Sequence, residues 1–220
     1  MSIKENYLNL QKEISETCAK TRRNPKDITL IGVTKHQEIS KIKELINAGV
    51  EDVGENKCQE LEEKFPDLKE LDCDIHFIGH LQSNKVRKVV EMANYIHSVD
   101  SLDLLRKIHY AASDIDKVQS VFLQVNTSGE SQKFGMPPKE VESLMTTMKS
   151  LPYNNVEFIG LMTMAEHTED EEKIRDSFRT LYDLKEHLNI THLSMGMSND
   201  YKIAIEEGAT ILRIGRKLFE

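Results

Sequence analysis

The sequence is short of cysteine, of long apolar runs and of positive charge. Its three cysteines, Cys18, Cys58 and Cys73, lie far apart, and none forms a C-x-x-C pair. That argues against a disulfide framework and a structural zinc site, and it fits a reducing compartment. No stretch reaches the roughly 18 apolar residues that a bilayer span needs. The opening Met1-Ser2-Ile3-Lys4-Glu5-Asn6 is polar and lacks the apolar core of a signal peptide. A cytoplasmic protein is expected. Lys and Arg number 29 against 37 Asp and Glu, a net charge of −8. This argues against nucleic acid or an anionic membrane as the main partner, and it leaves room for a local basic pocket. No Gly-x-Gly-x-x-Gly follows the first strand-like segment, which weakens a doubly wound dinucleotide-type sheet.

The 220 residues, 39% of them apolar and 30% charged, suit one soluble domain over residues 1–220 with a sizeable core. The stretch Ile28-Thr29-Leu30-Ile31-Gly32-Val33-Thr34-Lys35 reads as a short buried strand with a lysine at its exit. Before it, Ile3, Tyr7, Leu10, Ile14 and Cys18 recur at helical spacing. After it, strand-like and helix-like segments alternate. A helix stops at Gly49, and Asp52-Val53-Gly54-Glu55 is a short strand. A helix with Leu61 and Phe65 is expected to end before Pro66. Ile75 to Ile78 and Tyr95 to Val99 read as strands, separated by a helix with Val86, Val89 and Val90. Asp100-Ser101 caps the next helix, whose stripe is expected to be Leu102, Leu105 and Ile108. Val118 to Val125 is a long strand, followed by a polar loop to Gly135 and a helix opened by Pro137-Pro138. Three further strands, Val156 to Leu161, His192 to Ser194 and Thr210 to Ile214, enclose two more helices. Strict alternation implies a parallel sheet, and eight such units favour a closed (β/α)8 TIM-type barrel with an additional N-terminal helix. The doubly wound sheet is the runner-up.

In such a barrel the carboxyl ends of the strands carry the function. The segments there include Lys35, Gly54-Glu55-Asn56, Gly79-His80-Leu81-Gln82, Asn126, Met162-Thr163, Ser194 to Asp200 and Gly215-Arg216. Lys35 is either a solvated lysine at a strand end or an amine for a Schiff base, which a desolvating mouth would favour. The glycine in Ser194-Met195-Gly196-Met197-Ser198-Asn199-Asp200 permits a tight turn. Its polar residues either cap a helix or, with Gly215-Arg216, hold an anion. Arg213 lies inside the last strand, so it needs a partner: a buried ion pair or a heterocycle nitrogen. Asn56 is either a turn cap or a ligand donor. His76, His80 and His97 lack metal-ligand spacing as a set, and each alone reads as a packed or capping residue. Met162, Met164, Met195 and Met197 read as core and pocket wall. Lys85-Val86-Arg87-Lys88 reads as a solvated helix face, and Glu169-Asp170-Glu171-Glu172 suits a helix start.

These segments together resemble the pyridoxal phosphate homeostasis protein family over nearly the whole chain. The motifs are Val33-Thr34-Lys35, Gly54-Glu55-Asn56, His76 to Lys85, His97 to Ser101, Gln124-Val125-Asn126, Gly160 to Thr163, Ser194 to Ser198 and Arg213-Ile214-Gly215. The resemblance implies a barrel like the N-terminal domain of alanine racemase, with pyridoxal 5'-phosphate (PLP) held as a Schiff base on Lys35. It places the phosphate against Ser198 and the Gly215-Arg216 loop, and Arg213 at the pyridine nitrogen. Asn56 and Met197 complete the expected cofactor contacts. It also implies a regulator of vitamin B6 pools without an established enzyme activity. The sequence departs from the family at Arg216, where a threonine is usual, and at Thr34, where serine is commoner.

Two features bear on enzyme against carrier. An arginine at the ring nitrogen disfavours its protonation, which makes the cofactor a weak electron sink. Alanine racemases resemble this sequence only over the barrel and bring an opposing tyrosine with a second domain. This chain's residues are taken up by the barrel and its opening helix, so Tyr201 or His80 would have to act as a second base. A non-enzymatic, monomeric PLP carrier that buffers the cofactor or delivers it to PLP-dependent apo-enzymes is therefore expected. The alternatives are a PLP-dependent racemase or lyase, and a cofactor-free isomerase of sugar phosphates.

Overall fold

Eight parallel strands close on themselves in sequence order, each paired with its chain neighbours and the last with the first. The computed structural model describes residues 1–130 and 134–220. Helix α1 (Ile3–Lys20) precedes β1 (Thr29–Val33), α2 (Ile39–Asn47), β2 (Asp52–Glu55) and α3 (Cys58–Leu68). Then come β3 (Asp74–Phe77), α4 (Val86–Met92), β4 (Tyr95–Val99) and α5 (Leu102–Ser113). The second half holds β5 (Gln119–Gln124), α6 (Pro138–Ser150), β6 (Val156–Met162), α7 (Glu171–Leu188) and β7 (His192–Ser194). It ends with α8 (Tyr201–Glu206), β8 (Ile211–Ile214) and α9 (Arg216–Phe219). The (β/α)8 barrel with its extra N-terminal helix is therefore the fold. Among the described residues no helix is long and apolar enough to cross a membrane.

Local chemistry sets most boundaries. Ser2 and Glu5 form a reciprocal capping box on α1, and Ser101 and Asp170 cap α5 and α7 with their side chains. Gly49, at φ +113°, lets the chain turn after α2, a conformation open to glycine at little cost. One apolar layer packs the helices on the outside of the strands, from Leu45 and Leu61 through Val89, Ile108 and Val141 to Phe178 and Leu181. Burial there is the main source of stability.

Four expectations need correction. Helix α3 does not end before Pro66; it runs on to Leu68 with Pro66 inside. The missing N–H lies close to the end of the helix, where one lost bond does not break it. Leu102 is 36% exposed; the buried stripe of α5 is Leu104, Leu105 and Ile108. At N1 the side chain of Leu102 stands at the helix edge, away from the strands. Strand β1 stops at Val33, so Lys35 lies beyond the ladder. The short α9 was not expected; it folds back so that the Leu218 carbonyl accepts from Asn6 Nδ2 of α1 at 3.2 Å. The polar loop expected up to Gly135 includes residues 131–133, which lie outside the described residues.

Candidate functional site

The expected site residues converge on the carboxyl ends of four successive strands, β7, β8, β1 and β2. Thr34 N–H donates to the Gly54 carbonyl at 2.9 Å, which joins the exits of β1 and β2. Arg213 N–H donates to the Gly196 carbonyl at 3.0 Å, and Arg216 Nη2 donates to Asn199 Oδ1 at 2.9 Å, which joins the loops after β7 and β8. A Cβ on Gly215 would lie 3.4 Å from Val33, so the last loop lies against the exit of β1.

Lys35 is exposed and sits in a turn after β1. The turn itself is well held. Thr34 Oγ1 donates to Glu55 Oε1 at 2.7 Å, and Lys64 Nζ donates to the same oxygen at 2.7 Å and to the Thr34 carbonyl at 2.8 Å. His36 adopts φ +62°, and its N–H donates to Glu60 Oε2 at 2.9 Å. The lysine backbone is thus clamped from β2 and α3 while its amine stays accessible. The clamp by Glu55, Glu60 and Lys64 was not read from the sequence. The spacing Glu55, Glu60, Lys64 carries a weak hint, since Glu60 and Lys64 share one helix face.

Asn56 lies beside a cleft of about 240 Å³ that is also lined by Cys58, His80, Gln82 and Lys85. Its Oδ1 is buried without a hydrogen-bond partner, as is Glu55 Oε2. Gly79 permits this arrangement, because a Cβ there would meet the Asn56 carbonyl at 1.9 Å.

In the loop after β7, Gly196 takes φ +96°, and a Cβ would meet Ala204 at 2.6 Å. Met197 is 38% exposed, and its N–H is engaged by Asp200 Oδ1 at 2.5 Å, so its amide does not face the mouth free. Its side chain remains available at the rim, whereas Met162 and Met195 are buried as expected. The N–H groups of Ser198, Asn199 and Gly215 find no acceptor among the described residues.

Arg213 is 4% exposed and, among the described residues, its guanidinium forms no ion pair with a carboxylate. Its Nη1 donates to Ser194 Oγ at 2.6 Å and its Nη2 to the Thr163 carbonyl at 2.8 Å. Burial pulls its pKa down to about 10, partly offset by Asp200, so it is a cation at neutral pH. A guanidinium carries five N–H donors, so donors remain beyond these two bonds. His97 and His76, read singly as packed rings, stand on β4 and β3 and join at 2.9 Å. Their pairing was legible only from strand register, which brings His76 level with Tyr95 and so His97 near it. Of the two suggested second bases, Tyr201 is excluded from the mouth. It is buried, and its hydroxyl donates to Glu13 Oε2 of α1 at 2.6 Å. His80 is exposed and stacks on Phe134 with centroids 3.9 Å apart.

Comparison with known proteins agrees with the barrel fold. The family model described as "alanine racemase, N-terminal domain" matches residues 3–219. The pyridoxal phosphate homeostasis protein of Aquifex aeolicus is 38% identical over 225 residues, covering 100% of this chain and 98% of that protein. The structure of PipY from Synechococcus elongatus PCC7942 with PLP bound superposes with a TM-score of 0.81 at 32% identity, covering 94% of this chain and 100% of PipY. A crystal structure of an unknown protein from Bifidobacterium adolescentis gives 0.90 at 32% identity, covering 99% of this chain and 94% of that one.

Proposed function

The chain belongs to the pyridoxal phosphate homeostasis protein family, and on that premise we propose that it binds PLP through Lys35 and buffers or delivers it. In this reading residues 1–220 form one cofactor-binding domain, a cytoplasmic monomer whose recipients are PLP-dependent apo-enzymes. The cofactor supplies an aldehyde that an amine takes up reversibly, a phosphate and a ring nitrogen.

One observation carries the reading: the mouth gathers unengaged groups that match those three features. Lys35 offers an accessible amine on a clamped turn. The free N–H groups of Ser198, Asn199 and Gly215 suit a phosphate, and Arg216 adds a cation tied across the cradle to Asn199. Arg213 keeps donors for a ring nitrogen, and the unpartnered Asn56 Oδ1 offers an acceptor. Met197 contributes side-chain contact only, because its amide is engaged.

The same groups favour holding over turnover. Arg213 is cationic, and a second cation beside it is disfavoured, so a ring nitrogen held there would be kept unprotonated and the cofactor would supply only weak electron withdrawal. The hydroxyl of Tyr201, pushed up by burial and by Glu13, is committed outside the barrel. A racemase or lyase needs a second acid/base at the reacting carbon.

Absorbance tests both parts. Wild type mixed with PLP should develop a visible band that Lys35→Ala lacks; a wild type without the band sinks the proposal. Loaded protein incubated with amino acids in heavy water should show no Lys35-dependent α-proton exchange. Rapid exchange would favour the racemase or lyase reading.

A further inference from the structure

A continuous line of hydrogen bonds crosses the barrel interior from the amino end of β2 to the arginine below the mouth. Asp52 Oδ1 meets His76 Nε2 at 2.8 Å, and His76 Nδ1 meets His97 Nε2 at 2.9 Å. His97 Nδ1 meets Ser194 Oγ at 2.9 Å, and Arg213 Nη1 reaches the same oxygen at 2.6 Å. His76, His97 and Ser194 are 3%, 0% and 0% exposed, whereas the Asp52 side chain is 20% exposed. The rings are packed as well as bonded: Tyr95 stacks on His76 and Phe122 on His97.

The two ends of this line differ in kind. A carboxylate only accepts, and a guanidinium only donates. With both imidazoles neutral, Asp52 requires the proton of His76 on Nε2. His76 Nδ1 is then an acceptor, so His97 donates from Nε2. His97 Nδ1 is then also an acceptor, so the Ser194 hydroxyl proton points at it. The lone pairs of Ser194 Oγ are thereby left for Arg213. Every donor runs from Arg213 toward Asp52. The arginine end alone does not impose this order, because a serine oxygen can accept from Arg213 and from a His97 Nδ1–H together. The other charged groups facing the line are Asp74 and Glu157, which act on Tyr95, and Asp200, which acts on Arg213.

We propose that Asp52, His76, His97 and Ser194 are positioning residues that fix the guanidinium of Arg213 for the cofactor ring, with Asp52 setting the direction of the line from the opposite end of the barrel. The proposal rests on the reading of this mouth as a PLP site. It gives the polar barrel interior a purpose and makes a residue outside the mouth matter for binding in it.

The test separates the line from the cofactor. Nitrogen NMR of the cofactor-free protein reads each imidazole directly. His76 and His97 should each show a protonated Nε2 and an unprotonated Nδ1. Asp52→Asn offers both a donor and an acceptor, so it should give mixed tautomers at both rings while the fold persists. Ser194→Ala should weaken PLP uptake roughly tenfold, the scale of a lost bond to a charged group, and Ser194→Thr should restore it. Asp52→Asn should weaken uptake by a smaller factor and shift the visible band. A wild-type Nδ1–H on either ring, a cationic His76, or an Asp52→Asn protein with unchanged uptake and spectrum overturns the proposal. A wild type that shows the single tautomer but takes up no PLP overturns the cofactor reading and the positioning role with it, leaving only the direction of the line.

Discussion

The layer outside the strands and the space inside them follow opposite rules. Outside, Leu45, Leu61, Val89, Ile108, Phe178 and Leu181 pack the helices with little polar content. Inside, the apolar set is small, Ile31, Phe122, Met162 and Ile211, and it shares the space with Asp52, His76, His97, Ser194 and Arg213. Barrel interiors are usually filled by bulky branched side chains. Here the outer layer supplies the stability, and the interior holds a buried cation in one orientation. A substitution outside should therefore unfold the protein, and one inside should chiefly disturb binding.

Substitutions can break that contrast. The largest effect is expected in the outer layer. Phe178→Ala on α7 leaves a cavity at a fully buried site and should cost about 3–5 kcal/mol in urea unfolding. Ser194→Ala in the interior strips an acceptor from Arg213 and a donor from His97. It should cost about 1–3 kcal/mol while weakening PLP uptake, a double effect that Phe178→Ala should lack once folded. Asp170→Ala removes the cap that accepts from Glu172 and Lys173 at the start of α7. It should cost about 1 kcal/mol with no change in uptake.

Acid sharpens the comparison because the two regions lose stability in different windows. His97 is held neutral, well below the usual 6.5, by burial and then by His76 and Arg213. Below about pH 6.5 the unfolded chain takes a proton that the folded interior refuses, so stability falls with pH from there. Glu13, on the outside between α1, α8 and α9, has its carboxyl lowered from 4.5 to about 2, mainly by the Tyr201 hydroxyl and then by Lys217. Its contribution is complete above about 4.5 and is lost as the pH falls from there toward 2. Urea midpoints across this range should show both slopes in wild type. Glu13→Gln should flatten the lower window only, and His97→Gln the upper one only.

Much of the fold was legible because helix period and strand run leave plain marks. Ile3, Leu10, Ile14 and Cys18 mark one helix face, and all four are buried. Errors fell where a local rule met a weak constraint: Pro66 near a helix end, Leu102 at N1, and the strand exit before Lys35. The candidate rim was legible as a set of loops, since strand ends bring Lys35, Asn56, Ser198 and Gly215 to one end of the barrel whatever their distance in sequence. What was hidden was how those groups are engaged. The Met197 amide meets Asp200, Tyr201 turns to Glu13, and His76 meets His97 across strands. Such pairings depend on register and on helix placement, which no single segment encodes.

Lys35, on its clamped turn, is proposed to take up the cofactor. The direct measurement is peptide mass mapping of PLP-loaded protein after borohydride reduction. One modified peptide is expected, containing Lys35, and none in Lys35→Ala. A modification placed instead on Lys64, the half-buried lysine beneath the same turn, or no modification at all, would contradict it.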